Sequence, residues 1–296
     1  MRKEDRKRAP LAAAAALLLL TAAGWPHAPA SPARAAEKMK PEEVIARHLE
    51  SVGAEETRKS VKSRIVQGTA DVTFRAPTIG QATGRVVMAS EGQRHLLGMG
   101  FDVAGYSQEK FGFDGERVAV AFIKPGQRSN LGDFLQTHKN IISQGLLGGV
   151  LSQAWPLFDT AGMKAKVEYA GTKKLGDTLT HELKYSPRGG SDVRISLFFD
   201  AETFRHVRTE YTRTIAAQMG ANPDVSGSQR ESRYKMVEEF SNFSKEGGLT
   251  LPHAYLIRFD LDAPGGTSFR AEWKFGLSQF AYNQPIDPAT FNVGTE

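Results

Sequence analysis

The sequence predicts a mainly β protein: one strongly curved antiparallel sheet of about a dozen strands, covered by helices. Three observations carry that expectation. Apolar side chains recur at every second position through most of the chain after residue 63. The connections between these rows are short, and several bear glycine, so neighbouring strands are antiparallel. A flat open sheet of that width is rare, so it must curl or close, and its apolar face needs a cover.

The first segment is not part of that sheet. Residues 2–8 are rich in Arg and Lys, residues 11–25 are apolar, and Ala33-Arg34-Ala35 supplies a small-residue cut site. This is the order of a secretory signal peptide, so residues 1–35 are expected to be removed and the rest exported to the periplasm. The apolar run is shorter than the roughly 20 residues that span a bilayer. Removing six Lys/Arg and two Asp/Glu takes the formal charge from +5 to about +1. No basic stripe remains, which argues against nucleic acid as a partner. The chain has no cysteine, so the fold stands on packing alone, and thiol chemistry and Cys-bound metals are excluded. A lipid anchor of the bacterial type would need a Cys after the cut site, so the exported protein is expected to be free of one. Residues 36–296 are read as a single domain and as a monomer.

A helix follows the leader. Val44, Ile45, His48, Leu49 and Val52 recur at helical spacing, Pro41 sits at its start and Gly53 at its stop. The first strand alternates Val66, Gly68, Ala70, Val72 and Phe74 against Gln67, Thr69, Asp71, Thr73 and Arg75. Further rows lie near residues 84–90, 95–103, 106–113 and 117–124. The pattern then breaks. Phe134, Leu135, His138, Ile141 and Ile142 fit one helix that Gly145 ends. Leu146, Leu147, Val150, Leu151, Ala154 and Trp155 fit a second that Pro156 closes. This insert over 131–158 reads either as a plug in the core or as a lid over a cavity.

Strands resume with Val167 and Tyr169, then Leu179, His181, Leu183 and Tyr185, then Val193, Ile195, Leu197 and Phe199. A long strand runs through Val207, Tyr211 and Ile215. Residues 220–228, rich in Gly, Ser, Asn and Pro, form a loop. The last rows are Tyr234, Met236 and Phe240, then Tyr255, Ile257, Phe259 and Leu261, then Phe269, Ala271, Trp273 and Phe275.

No catalytic constellation is present in the sequence. His181-Glu182 lacks the second His of a helical zinc site, and no nucleophile elbow or phosphate-binding loop occurs. Glu238 and Glu239 are adjacent in a strand and point to opposite faces, so they cannot act as a pair. Asp260 and Asp262 share a face and read as solvated surface. A lone His on the apolar side, such as His181, reads as a satisfied core residue. The chain is read as a non-enzyme with no cofactor and no metal. The bulky apolar residues are the candidate binding surface: Phe74, Met88, Phe111, Phe113, Phe122, Leu147, Leu151, Trp155, Phe240, Phe259, Trp273 and Phe275. An ordinary filled core would use the same residues.

Four turn motifs add a resemblance. Phe113-Asp114-Gly115-Glu116-Arg117 resembles an Asp-Gly hairpin, and Phe199-Asp200-Ala201-Glu202-Thr203-Phe204 an Asp-x-x-Thr turn. Gly247-Gly248-Leu249-Thr250-Leu251-Pro252 resembles the start of a late strand. Asn283-Gln284-Pro285-Ile286-Asp287-Pro288-Ala289-Thr290-Phe291 resembles a closing segment. In this order they resemble the bacterial lipoprotein-carrier superfamily, the group of LolA, LolB and MucB/RseB. The resemblance implies a half-open β-barrel covered by helices, whose apolar concave face holds the acyl chains of lipoproteins or related amphiphiles. It also implies partner proteins at the inner or outer membrane. The carrier's lid-locking Arg lies in a Lys-Arg-Pro corner. The comparable corner here is Ser90-Glu91-Gly92-Gln93, with Arg94 nearest. The second reading is a periplasmic protein-binding or envelope-sensing module with a filled core.

Overall fold

The computed structural model describes residues 39–217 and 231–294. The leader and the loop over 220–228 lie outside these. Helix α1 (Pro41–Val52) runs as its spacing predicts, with Pro41 in its first turn and the Gly53 N–H bonded back to Leu49. A short helix α2 (Glu55–Ser60) follows; its six residues carry no apolar period that would reveal it.

Five strands come next: β1 (Ser63–Ala76), β2 (Gly80–Glu91), β3 (Arg94–Phe101), β4 (Gln108–Phe113) and β5 (Val118–Val120). After the insert come β6 (Lys166–Leu175), β7 (Thr178–Ser186), β8 (Arg194–Asp200) and β9 (His206–Ile215). The last three are β10 (Ser232–Glu246), β11 (Leu249–Asp262) and β12 (Ser268–Tyr282). All pair antiparallel in one 12-stranded sheet, ordered β5-β4-β3-β2-β1-β12-β11-β10-β9-β8-β7-β6. The sheet is not closed: β5 and β6 are its two edges.

The turns follow from local chemistry. Asp114 Oδ1 accepts from the backbone N–H of Glu116 and of Arg117 at 2.8 and 2.7 Å. Asp200 Oδ1 accepts from the N–H of Glu202 and of Thr203, and from the Thr203 hydroxyl. Each Asp replaces backbone bonds that a reversing chain loses. In β1 a register shift between Gln67 and Gly68 bends the strand against β12.

The topology fixes where the insert goes. The chain leaves β5 at one edge of the sheet and resumes in β6 at the other. Residues 121–165 therefore cross the whole width of the sheet. They cross on the face that carries the apolar rows, beside α1, and the core lies between. The two helices expected here are not formed as such. The first breaks into α3 (Asn130–Thr137) and α4 (Asn140–Ser143) at His138, and the second is a succession of turns, with 3-10 turns at Gly149–Leu151 and Pro156–Phe158. Helix α5 (Thr160–Met163) leads into β6. The apolar spacing of Leu146 to Trp155 suits a helix, but Gly145, Gly148 and Gly149 take positive φ, which the interior of a right-handed helix does not accommodate.

Candidate functional site

The site is the covered face of the sheet and the insert lying on it. Phe134 of α3 packs on Phe259 and Tyr234, with ring centroids 5.3 and 5.9 Å away. Trp155 stacks on His206 at 4.7 Å. Gly148 and Gly149 bring the insert backbone onto the sheet. A Cβ on Gly149 would stand 2.8 Å from His206 Nδ1 and 3.1 Å from Phe240, and one on Gly148 would overlap the Met88 methyl. Both residues also have positive φ, so only glycine fits without strain.

Polar contacts tie the insert down at separate points. The Gly148 N–H donates to Glu238 Oε1 at 2.7 Å. The same carboxyl accepts from the Tyr211 and Tyr255 hydroxyls at 2.7 and 2.6 Å. Burial pushes its pKa up, against the pull of these three donors. Arg64, on the inward face of β1, donates Nη1 to the Val150 carbonyl at 2.5 Å. The Gln153 N–H donates to the Ser90 hydroxyl at 3.0 Å, and the Tyr185 hydroxyl to Gln144 at 2.7 Å. Trp155 Nε1 donates to Nε2 of the buried His48. A second polar chain lies further along the sheet: Trp273 Nε1 donates to the Tyr106 hydroxyl, which donates to Glu109. Burial lifts the Glu109 pKa to about 7.

Of the residues named from sequence, Met88, Phe111, Leu147, Leu151, Trp155, Phe240, Phe259, Trp273 and Phe275 are buried together in the core. Phe74 and Phe113 are half-buried at its margin. Phe74 lies edge-on to Tyr106 and Trp273, and Phe113 lies beside His95. Phe122 does not belong to the site. The strand expected over 117–124 stops at Val120, and the Phe122 ring instead sits under the Arg128 guanidinium, 4.2 Å away. The insert packs closely at one point of this face: the space bounded by Met88, Leu97, Leu147 and Leu151 measures about 10 Å³.

Arg94 makes no hydrogen bond or ion pair with the insert among the described residues. It pairs with Glu91 and lies over the Phe291 ring at 5.4 Å. Arg64 holds the insert instead. Arg64, Glu238, His48 and His206 are the functional candidates that composition and motif did not reveal. A signal existed for two of them. Glu238 shares register with Met236 and Phe240, and Arg64 with Val66 and Ala70, so both interrupt an inward apolar row. Glu239, by contrast, faces outward to Arg208 and Arg258, as alternation requires. Asp260 and Asp262 share Arg270 at 3.4 and 2.6 Å, and His181 is satisfied by the Tyr169 hydroxyl.

Among the described residues no group of His, Cys, Asp and Glu is placed to hold a metal ion, and no helix is long and apolar enough to cross a membrane. No family model matches the chain, and no curated protein matches it. Among solved structures it is similar to a LolA superfamily protein from Nitrosomonas europaea, at 10% identity and TM-score 0.45, over 86% of this chain and 97% of that one. It is similar to a DUF1329 family protein from Desulfovibrio piger, at 10% identity and TM-score 0.43, over 84% and 96% of the two chains. It is also similar to the MucA/MucB complex of Pseudomonas aeruginosa, at 11% identity and TM-score 0.22, over 82% and 99%. The LolA superfamily and MucB are the group that the four turn motifs resemble.

Proposed function

We propose that the exported protein binds acyl chains of a lipoprotein or a related amphiphile between the covered face of the sheet and the insert, as a carrier in the periplasm. The observation that carries this reading is the path of residues 121–165. Beyond the bond from the Ala121 N–H to the Lys110 carbonyl of β4, they cross the apolar face from edge to edge outside the sheet's hydrogen-bond ladder and are tied to it at separate polar points. Such a strap can lift without breaking a strand pair, since local opening has its own smaller free energy. Lifting it would expose Met88, Phe240, Phe259 and Phe275, and an acyl chain would replace the lost contacts at ~0.8 kcal/mol per CH₂. The reading includes no catalytic step.

The closed packing around Leu147 and Leu151 favours a second reading, a protein-binding or sensing module with a permanently filled core. Native mass spectrometry of protein purified without detergent separates the two. A bound amphiphile, displaced by a triacylated lipopeptide, supports the carrier. A bare protein that takes up no lipopeptide overturns it.

A further inference from the structure

The contacts that hold the insert leave one feature of Arg64 unexplained. Its side chain is almost fully buried, at 1% exposure, and makes no ion pair with a carboxylate among the described residues; the guanidinium lies over the Tyr282 ring, 5.7 Å from its centroid. A buried charge is costly unless it is paired. Nη1 is used by the Val150 carbonyl. With its amide oxygen turned to the guanidinium, Gln153 accepts from Nη2 at 2.9 Å. Nε has no partner among the described residues.

Arg64 also forms part of a cleft of about 700 Å³ between the helix pair and the insert. Leu49, Arg58 and Lys59 wall it on the helix side, and Gln153 and Phe158 on the insert side. Its carboxylates are Glu50 and Glu55. Lys59 pairs with Glu55 at 2.5 Å, so these two cancel. Arg58 donates Nε to the Gly53 carbonyl and has no ion pair among the described residues. The cleft therefore keeps two guanidinium groups against one free carboxylate, beside the apolar surface of Leu49 and Phe158. That combination suits a group with negative charge at one end and hydrocarbon at the other. Guanidinium forks match tetrahedral oxyanions.

We propose that this cleft binds the phosphate-class headgroup of an anionic amphiphile, with Arg58 and Arg64 as its ligands. The headgroup competes with the Val150 carbonyl for the Arg64 guanidinium. Its arrival therefore loosens one of the points that hold the insert, and so couples headgroup capture to opening of the apolar face. The acyl part of this inference rests on the carrier reading; the anion site does not.

Calorimetry on the purified protein at low salt tests it, with dodecyl phosphate and dodecyl maltoside below their micelle concentrations and with inorganic phosphate. Dodecyl phosphate is expected to bind at least tenfold more tightly than dodecyl maltoside. Arg58→Gln is expected to reduce that preference at least threefold, and Arg64→Met to abolish it. Arg58 is half-exposed, so the first variant carries the test if the second does not fold. Equal affinity for the two amphiphiles, unchanged in Arg58→Gln, overturns the headgroup site and leaves the carrier reading standing. Binding of inorganic phosphate alone, weakened in Arg58→Gln, supports the anion site with free phosphate as its source and overturns the carrier reading. No binding of any of the three overturns both.

Discussion

The indole Nε1 of Trp155 donates to Nε2 of His48 over 3.2 Å. Nε2 therefore carries no proton, and Nδ1, 3.1 Å from the Phe204 carbonyl, is the donor. One neutral imidazole thus joins the insert to α1 and to the corner between β8 and β9. A second proton on His48 would set two N–H groups against each other.

Burial holds the His48 pKa down at about 4, against an ordinary 6.5. In the unfolded chain the same group takes a proton near pH 6.5. Stability from this group is complete above that pH and is lost as pH falls toward 4. The loss over the window is about 3 kcal/mol. Urea unfolding between pH 7 and 4 is expected to show a shallower fall in His48→Gln than in the parent. Parallel curves would show that His48 takes up its proton at the same pH in the folded and the unfolded chain.

Glu109 acts with the opposite sign. The unfolded carboxyl gives up its proton near pH 4.5, while the folded one keeps it to about 7. The folded state binds the extra proton, so this group lowers stability as pH rises through that interval. Glu109→Gln keeps an acceptor for the Tyr106 hydroxyl and has no proton to lose. It is expected to match the parent at pH 4 and exceed it at pH 8 by up to about 3 kcal/mol. Equal midpoints at pH 8 would contradict a Glu109 carboxyl whose pKa the fold raises.

Glu238 anchors three donors at once. Glu238→Ala leaves two tyrosine hydroxyls and the Gly148 N–H buried without an acceptor, a loss of about 3–5 kcal/mol. Glu238→Gln keeps a carbonyl oxygen for the Gly148 N–H and the Tyr255 hydroxyl and loses only the acceptor of the Tyr211 hydroxyl, an expected loss of about 1 kcal/mol. Urea midpoints of the two variants check this. Equal losses would mean that the retained oxygen does not hold the Gly148 N–H and the Tyr255 hydroxyl.

Gly149 separates close approach from backbone strain. It and Gly176 both have positive φ, +51° and +58°. A Cβ at Gly176 meets nothing within 4 Å, whereas one at Gly149 meets His206 and Phe240. Gly176→Ala is expected to cost about 1 kcal/mol from backbone strain alone. Gly149→Ala adds overpacking of about 1–3 kcal/mol. Equal effects would show that the insert is not seated on the sheet at that point.

Particular residues show how far the fold was legible. The alternation of Val66, Ala70 and Val72 against Gln67, Thr69 and Asp71 sets β1, and Trp273 and Phe275 against Glu272 and Lys274 set β12, because a half-buried strand has period two. The pairing of β1 with β12 is not local and left no mark in either segment. The path of the insert followed from that pairing, since it makes β5 and β6 the edges. The apolar spacing of Leu147, Val150, Leu151 and Trp155 was visible, but any segment that packs one side on a sheet can show it. The positive φ of Gly145, Gly148 and Gly149 decides for turns, and glycine in a sequence does not announce its φ. The polar anchors were hardest to read, because Arg64 and Glu238 become partners of the insert only once the strap crosses above them.

The strap's own bonding sets the last prediction. In β11 the amides of residues 255–261 lie between β10 and β12, paired on both sides. In the second half of the insert the backbone bonds are single turns: Gly149 to Leu146, Leu151 to Gly148, Ser152 to Gly149 and Phe158 to Trp155. Opening the strap breaks these turns and its few polar anchors, while opening β11 breaks the sheet. Amides over 131–158 are therefore expected to exchange with deuterium faster than those over 255–261. A triacylated lipopeptide is expected to slow them, since an acyl chain gains its burial only when the strap closes over it. The comparison is hydrogen exchange with and without the lipopeptide, read segment by segment. Equal protection of the two segments, unchanged by the lipopeptide, would make the strap a fixed part of the core, because its opening would then require the sheet to open with it.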